Sequence, residues 1–218
     1  MTYQRNEKMV LLLLFSSNIF IFLFLPITLT GYYLLHKPYR NFFLLLMSLV
    51  FYAWGEPKFV IVMICSIFFN YTMAILVDRL RNKKTLCKTI ICFCVIGNLG
   101  LLFIYKYLDF FIINMNRLGL SLPLKNLVLP IGISFFTFQA MSYVIDVYRG
   151  DVAVQKKPQH IGLYISFFPQ LIAGPIVRYK DIAAQLDNRT TNFELFADGI
   201  ERFIIGFSKR YCWQITWH

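Results

Sequence analysis

Long apolar blocks alternate along this chain with short polar connectors, most of them basic. The first block covers residues 9–35, interrupted by Ser16, Ser17, Asn18 and a few hydroxyl or small residues. It exceeds the about 20 residues that a spanning helix needs. It is also too long and too aromatic for a signal-peptide core, and no small-residue cleavage site follows it. It reads as a retained helix. Residues 41–54 form a short second block, closed by Gly55-Glu56-Pro57, where proline removes a donor and restricts the residue before it. Residues 59–77 and 86–105 are clean spans, the latter with Asn98 and two glycines inside it. Residues 108–118 are too short to span and predict a segment that lies flat or re-enters. Residues 127–148 span, with Pro130 and Gly132 near their start. Residues 161–177 are apolar but carry Pro169, Gln170, Gly174 and Pro175, and a last block runs over 193–207. The pattern predicts an all-α polytopic membrane protein. Irregular backbone at membrane depth survives only where protein or a water-filled cavity shields it. Broken and re-entrant helices around a cavity are therefore expected, not a plain bundle.

Composition sharpens this picture. Of 218 residues, 58% are hydrophobic and only 15% charged, against roughly 25% charged in an ordinary soluble domain. This excludes a disordered chain, a collagen-like chain and a nucleic-acid-binding module. Lys and Arg number 22 against 11 Asp and Glu, and in so apolar a chain that excess is loop charge that sets topology. Residues 78–88 hold Arg79, Arg81, Lys83, Lys84 and Lys88, the strongest inside signal. With that loop cytoplasmic, His36–Arg40 is cytoplasmic too, and the N-terminus lies outside. Arg5 and Lys8 oppose this, and the conflict disappears if translation starts at Met9. The five cysteines are odd in number and form no CxxC pair. Buried thiols are the expectation, with neither zinc nor a disulfide framework.

Polar groups inside membrane segments carry the functional expectations. Gln139, Tyr143 and Asp146 are spaced by four and three, so they share one helix face. They line a substrate path, or else Gln139 makes a helix–helix hydrogen bond and Asp146 pairs with Arg149. Gln170 lies between the breakers Pro169 and Gly174-Pro175, and Arg178 ends that run. This is a broken helix lining a chamber, or a kinked structural helix with Arg178 snorkelling to the interface. His36 and His160 lie in or beside loops and are expected to be solvated or interfacial. There is no nucleophile elbow, HExxH, P-loop or dinucleotide fingerprint.

The segments FSSNIFIFLFLPITLTGYYL (15–34), YRNFFLLLMSLVFYAWGEPKFV (39–60), LPIGISFFTFQAMSYVIDVYRG (129–150) and YISFFPQLIAGPIVRYKDI (164–182) resemble the membrane-bound O-acyltransferase family, in its alginate O-acetyltransferase-like branch. The resemblance covers nearly all of 9–210. It implies a multi-pass enzyme of the bacterial cytoplasmic membrane that holds no resident cofactor. Such an enzyme moves an acyl group from a donor such as acetyl-CoA to a hydroxyl of an exopolysaccharide, with periplasmic or extracellular partner proteins. It also implies that the family's catalytic histidine lies downstream of this chain, so neither His160 nor His218 inherits that role and no catalytic residue or metal ligand is assigned. Gln139, Tyr143, Asp146, Gln170 and Arg178 match motif positions as candidate chamber-lining residues.

The expected organisation is an upstream extension at 1–8, the N-terminal part of the acyltransferase domain at 9–210, and a frameshifted tail at 211–218. Back-translated with one added nucleotide, that tail is forced to read Leu-Leu-Ala early and Ala at its end, a helix-forming run. A non-enzymatic transporter or scaffold of polysaccharide export is the alternative. The lack of inverted-repeat symmetry weighs against a transporter.

Overall fold

The computed structural model describes residues 18–171, 177–187, 189 and 192–216, with 187 and 210–216 described by backbone alone. Every regular element among them is helical. A π-helical turn, Phe20–Phe24, runs on into α1 (Leu25–Leu34), with Pro26 just past the junction. There follow α2 (Lys37–Gly55), α3 (Val60–Arg79), α4 (Lys84–Leu102), a second π-helical turn (Phe103–Tyr107) and α5 (Leu108–Arg117). The chain continues through α6 (Ile133–Arg149), α7 (Pro158–Ser166), the one-turn α8 (Phe168–Leu171), α9 (Tyr179–Asp187) and α10 (Phe193–Thr216).

Three boundaries differ from the sequence expectation. The second block is a full helix of 19 residues, because the polar stretch Lys37-Pro38-Tyr39-Arg40 forms its first turn instead of a loop. Residues 108–117 are not a separate segment but continue the preceding helix. The π-helical turn joins α5 to α4, so that Lys84–Arg117 is continuous over 34 residues. The span expected at 127–148 begins only at Ile133, since Pro130 and the left-handed Gly132 (φ 76°) keep the preceding segment out of the helix. Among the described residues, two helices, Val60–Arg79 and Lys84–Arg117, are long and apolar enough to cross a membrane.

The core forms where α3 packs on α6 and α4, and α2 packs on α7. Met63, Ala74, Phe136, Val144, Val147 and Ile161 are fully enclosed there. A buried amide pair clamps α3 to α4. Asn70 Nδ2 donates to Asn98 Oδ1 at 3.1 Å, and Asn98 Nδ2 donates back to Asn70 Oδ1 at 2.9 Å. Outward faces carry Ile61, Phe68, Phe93, Ile96 and Phe110, all strongly exposed, the distribution expected of lipid-facing helices. α6 ends in a Schellman motif, with Gly150 in the left-handed region, Gly150 N–H on Val147 O and Asp151 N–H on Asp146 O.

Basic loops gather at one end. Arg81 Nη2 donates to Val147 O at 2.8 Å, which ties the α3–α4 loop to the negative end of α6. Tyr71 Oη donates to Lys156 O at 2.7 Å, and Asn41 Nδ2 to Leu186 O at 2.6 Å. Lys37 and Arg40, the 78–88 loop, Arg149, Lys156 and Lys157 therefore share this end of the molecule.

Candidate functional site

The region after α6 is a helical hairpin whose two limbs enclose a cleft. α7 starts at the basic end, with Pro158 in its first turn. It breaks at Phe167, whose extended ψ of 113° interrupts the helix. Pro169 two residues later has no N–H to continue the ladder. The Phe168 N–H points instead at Ser48 Oγ on α2, 3.4 Å away. Beyond the break, α8 reaches the opposite end of α6, where the Leu171 carbonyl lies 3.2 Å from the position a Cβ would take on Gly132. The chain then returns. Tyr164 Oη donates to the Val177 carbonyl at 3.0 Å, and Leu186 closes against Asn41 at the basic end.

Between the limbs lies a cleft of about 310 Å³, lined mostly by apolar side chains. Tyr164, Phe167 and Gln170 come from the outgoing limb, and Ile182, Gln185 and Arg189 from the returning one. Its polar groups are few. Gln170 sits past the break, and Gln185 and Arg189 on the limb that returns to the basic end. Few convergent polar groups in an otherwise apolar cleft is the usual make-up of a small-molecule site.

A buried polar network joins the hairpin to the core. Gln139 Nε2 donates to Tyr164 O at 2.6 Å, an interhelical bond from α6 to α7. Tyr143 Oη accepts from the Gln155 N–H at 2.9 Å, and its ring packs edge-on against Tyr179 at 4.8 Å. Gln155 Nε2 also contacts Tyr179 Oη at 3.1 Å. His160 stands at the centre, with Asn41 Nδ2 3.1 Å from Nε2 and Gln155 Nε2 3.3 Å from Nδ1. A neutral imidazole has one acceptor nitrogen, so it accepts from only one of the two carboxamides.

This corrects the expectation that His160 is solvated or interfacial. It is buried, 4% exposed, because the loop after α6 folds over it and brings Gln155 and Tyr179 to its edge. His36 is exposed, as expected. With both ring nitrogens engaged, His160 joins α2, α7, α9 and the 150–157 loop.

The sequence-derived candidates divide as follows. Gln139, Tyr143 and Asp146 all lie on the buried face of α6. No pair forms between Asp146 and Arg149, the ion pair among the described residues being Asp78–Arg81 at 3.9 Å. Asp146 Oδ2 is buried without a hydrogen-bond partner among the described residues, as is Thr137 Oγ1. Gln170 lines the cleft. Arg178 is exposed just before α9, and Gly174-Pro175 lie outside the described residues. Sequence reasoning missed Asn41, Gln155 and Tyr179. The pattern sets Asn41 only at the edge of an apolar block, and nothing local distinguishes a loop glutamine that closes on a histidine five residues away.

Helical architecture, an apolar outer face and a broken hairpin over a cleft are the features of a membrane protein with a small enclosed site. Over nine-tenths of its length the chain is similar to proteins named alginate O-acetylase and peptidoglycan O-acetyltransferase. It is 37% identical over 203 residues to the protein named "Probable alginate O-acetylase AlgI" of Pseudomonas aeruginosa, a match that covers 91% of this chain and 39% of that protein. It is 36% identical over 203 residues to the protein of the same name in Azotobacter vinelandii, covering 91% and 41%. It is 32% identical over 234 residues to a peptidoglycan O-acetyltransferase of Helicobacter pylori, covering 92% and 44%. The chain thus spans about two-fifths of the length of the curated relatives it matches. No family model matches the chain. No solved structure matches it either.

Proposed function

We propose that this chain is the N-terminal, donor-facing part of a membrane O-acetyltransferase that acetylates hydroxyls of an alginate-like exopolysaccharide. The observation that carries this reading is the match, over nine-tenths of the chain, to relatives named alginate O-acetylase and peptidoglycan O-acetyltransferase. In this reading the chain is multi-pass in the bacterial cytoplasmic membrane, with the 78–88 loop in the cytoplasm and the 158–187 hairpin re-entering from that side. Acetyl-CoA is the donor, and proteins outside the membrane complete delivery to the polysaccharide. Gln139, Tyr143, Asp146, Gln170 and Arg178 are chamber-lining candidates, with Gln170 the one that faces the cleft.

Acyl transfer to a sugar hydroxyl requires a base to take its proton and donors for the developing oxyanion. His160 has both ring nitrogens in contact with carboxamides, so it is not that base. In this reading the base is a histidine of the remaining length of the enzyme. The chain's own residues here hold the hairpin in shape: Gln139 and Tyr164 pin its outgoing limb to α6, and Asn41 pins its return to α2.

The test is expression of the 218-residue chain in an alginate-producing host that lacks its own O-acetylase, with polysaccharide acetyl groups measured by proton NMR. The chain alone leaves the polymer unacetylated. Joined to the remaining length of an alginate O-acetylase, it restores acetylation. Acetyl groups formed by the chain alone would refute the division of roles. A joined protein that is made and inserted yet transfers no acetyl group would refute the function.

A further inference from the structure

At the basic end, where α1 meets α10, two cations are held against one ring. Tyr32 of α1 is buried, and Arg40 Cζ lies 4.9 Å from its ring centroid and Arg189 Cζ 5.8 Å. Each arginine uses its Nε–H on a backbone carbonyl, Arg40 on Leu35 O at 3.0 Å and Arg189 on Gln185 O at 3.4 Å. Neither pairs with a carboxylate among the described residues. Among the described residues these bonds use only Nε, so the outer edges of both guanidiniums can turn toward an anion. Two like charges held against one ring repel, and an anion between them relieves that repulsion. Planar guanidinium forks match the oxygens of a phosphate.

From this pair an apolar groove of about 400 Å³ runs between α1 and α10. Leu25 and Leu29 form one wall and Phe196, Ile200 and Phe203 the other, with Arg189 and Asn192 among the residues that line it. Tyr33 and Phe196 meet edge-on at 5.6 Å across it. From Tyr33 to Leu25 the groove follows α1 for two turns, roughly 12 Å at the helical rise. Apolar length joined to a cationic end is the complement of an anionic amphiphile. A soluble phosphate would use the cations and leave the groove empty.

We propose that this groove holds an anionic phospholipid, its phosphate on Arg40 and Arg189 and one acyl chain between α1 and α10. The site lies apart from the hairpin cleft except for Arg189, which lines both, and it does not depend on the proposed acetyl transfer. The lipid would fasten α10 to α1 at the headgroup level of the basic face.

The test uses the full chain purified in dodecyl maltoside, with thermal unfolding and native mass spectrometry as readouts. Dioleoyl phosphatidylglycerol is expected to raise the unfolding temperature and to stay bound at about one per chain, while dioleoyl phosphatidylcholine at the same mole fraction does neither. The double variant Arg40→Gln/Arg189→Gln should weaken phosphatidylglycerol binding at least tenfold. Lys83→Gln/Lys84→Gln, which removes equal charge elsewhere on the basic end, should not. A second variant keeps the test open if the arginine variant fails to fold. Gly199 lines the groove, with no atom within 4 Å of the position a Cβ would take, so Gly199→Leu fills the groove, leaves the arginines intact and should also release the lipid. Equal retention of both lipids, phosphatidylglycerol binding unchanged in either groove variant, or equal protection by inorganic phosphate would each overturn the proposal.

Discussion

Replacing Asn98 by Leu isolates what the buried amide pair contributes to holding α3 against α4. Asn70 is fully buried and Asn98 is 2% exposed. The substitution removes both cross-helix bonds, at 3.1 and 2.9 Å. It leaves Asn70 Oδ1 with only the Cys94 thiol at 3.5 Å. Asn70 Nδ2 keeps its bond to Ser66 O at 2.9 Å, so one buried carbonyl is stranded, not a whole amide. Interhelical hydrogen bonds in membranes average about 0.6 kcal/mol and reach about 1.7, so two contribute roughly 1–3 kcal/mol. A stranded buried acceptor adds about 1 kcal/mol at the lower end of its range. Asn98→Leu should therefore destabilise by about 2–4 kcal/mol, and Asn70→Leu by a similar amount. The double variant strands nothing and buries two apolar groups, so it should be no less stable than either single variant. The coupling energy should be about 2 kcal/mol or more. Reversible unfolding in lipid bicelles measures all four proteins. Additivity within about 0.5 kcal/mol, the behaviour of independent sites, would refute the reasoning that the two amides work as one reciprocal clamp.

Three further outcomes follow from other parts of the molecule. A cysteine at Asn82, placed after removal of the native cysteines, should be shielded from an impermeant thiol reagent in intact cells, and labelling equal to a periplasmic control would reverse the topology. Gly132→Ala should cost about 1–3 kcal/mol, because φ of 76° disfavours any Cβ and the Leu171 carbonyl stands 3.2 Å from it. The same variant with unchanged stability would show that the hairpin does not press on the start of α6. Glu56, buried between α2 and α3, has its carboxyl pKa raised by burial. Its contribution is complete below the ordinary carboxylate range and is lost as pH rises through the raised value. Glu56→Gln should therefore flatten the pH dependence of stability and stabilise the protein near neutral pH, as thermal unfolding across pH 4–8 would report.

Much of the fold was legible in order along the chain. Apolar block length fixes which segments are helices, and Gly55-Glu56-Pro57, Pro130-Ile131-Gly132 and Gly150 mark where helices stop or start, because proline lacks a donor and glycine alone enters the left-handed region without strain. The charge on 78–88 and the shared face of Gln139, Tyr143 and Asp146 are likewise local properties of spacing and composition. What the chain does with those groups is not local. Only the tertiary structure decided that residues 108–118 extend α4 through a π-helical turn, since either outcome satisfies the same hydropathy. It alone decided that Gln139 bonds Tyr164 O, that Asp146 is left without Arg149, and that His160 is buried between Asn41 and Gln155. Those two partners lie 119 and 5 residues away in sequence, and a hydrogen bond between groups that far apart depends on where α2 and the loop after α6 pack. The cationic end of the groove is of the same kind. Arg40 and Arg189 are ordinary loop-side basic residues in the sequence, and only the packing of α1, α2 and α10 brings both to the ring of Tyr32.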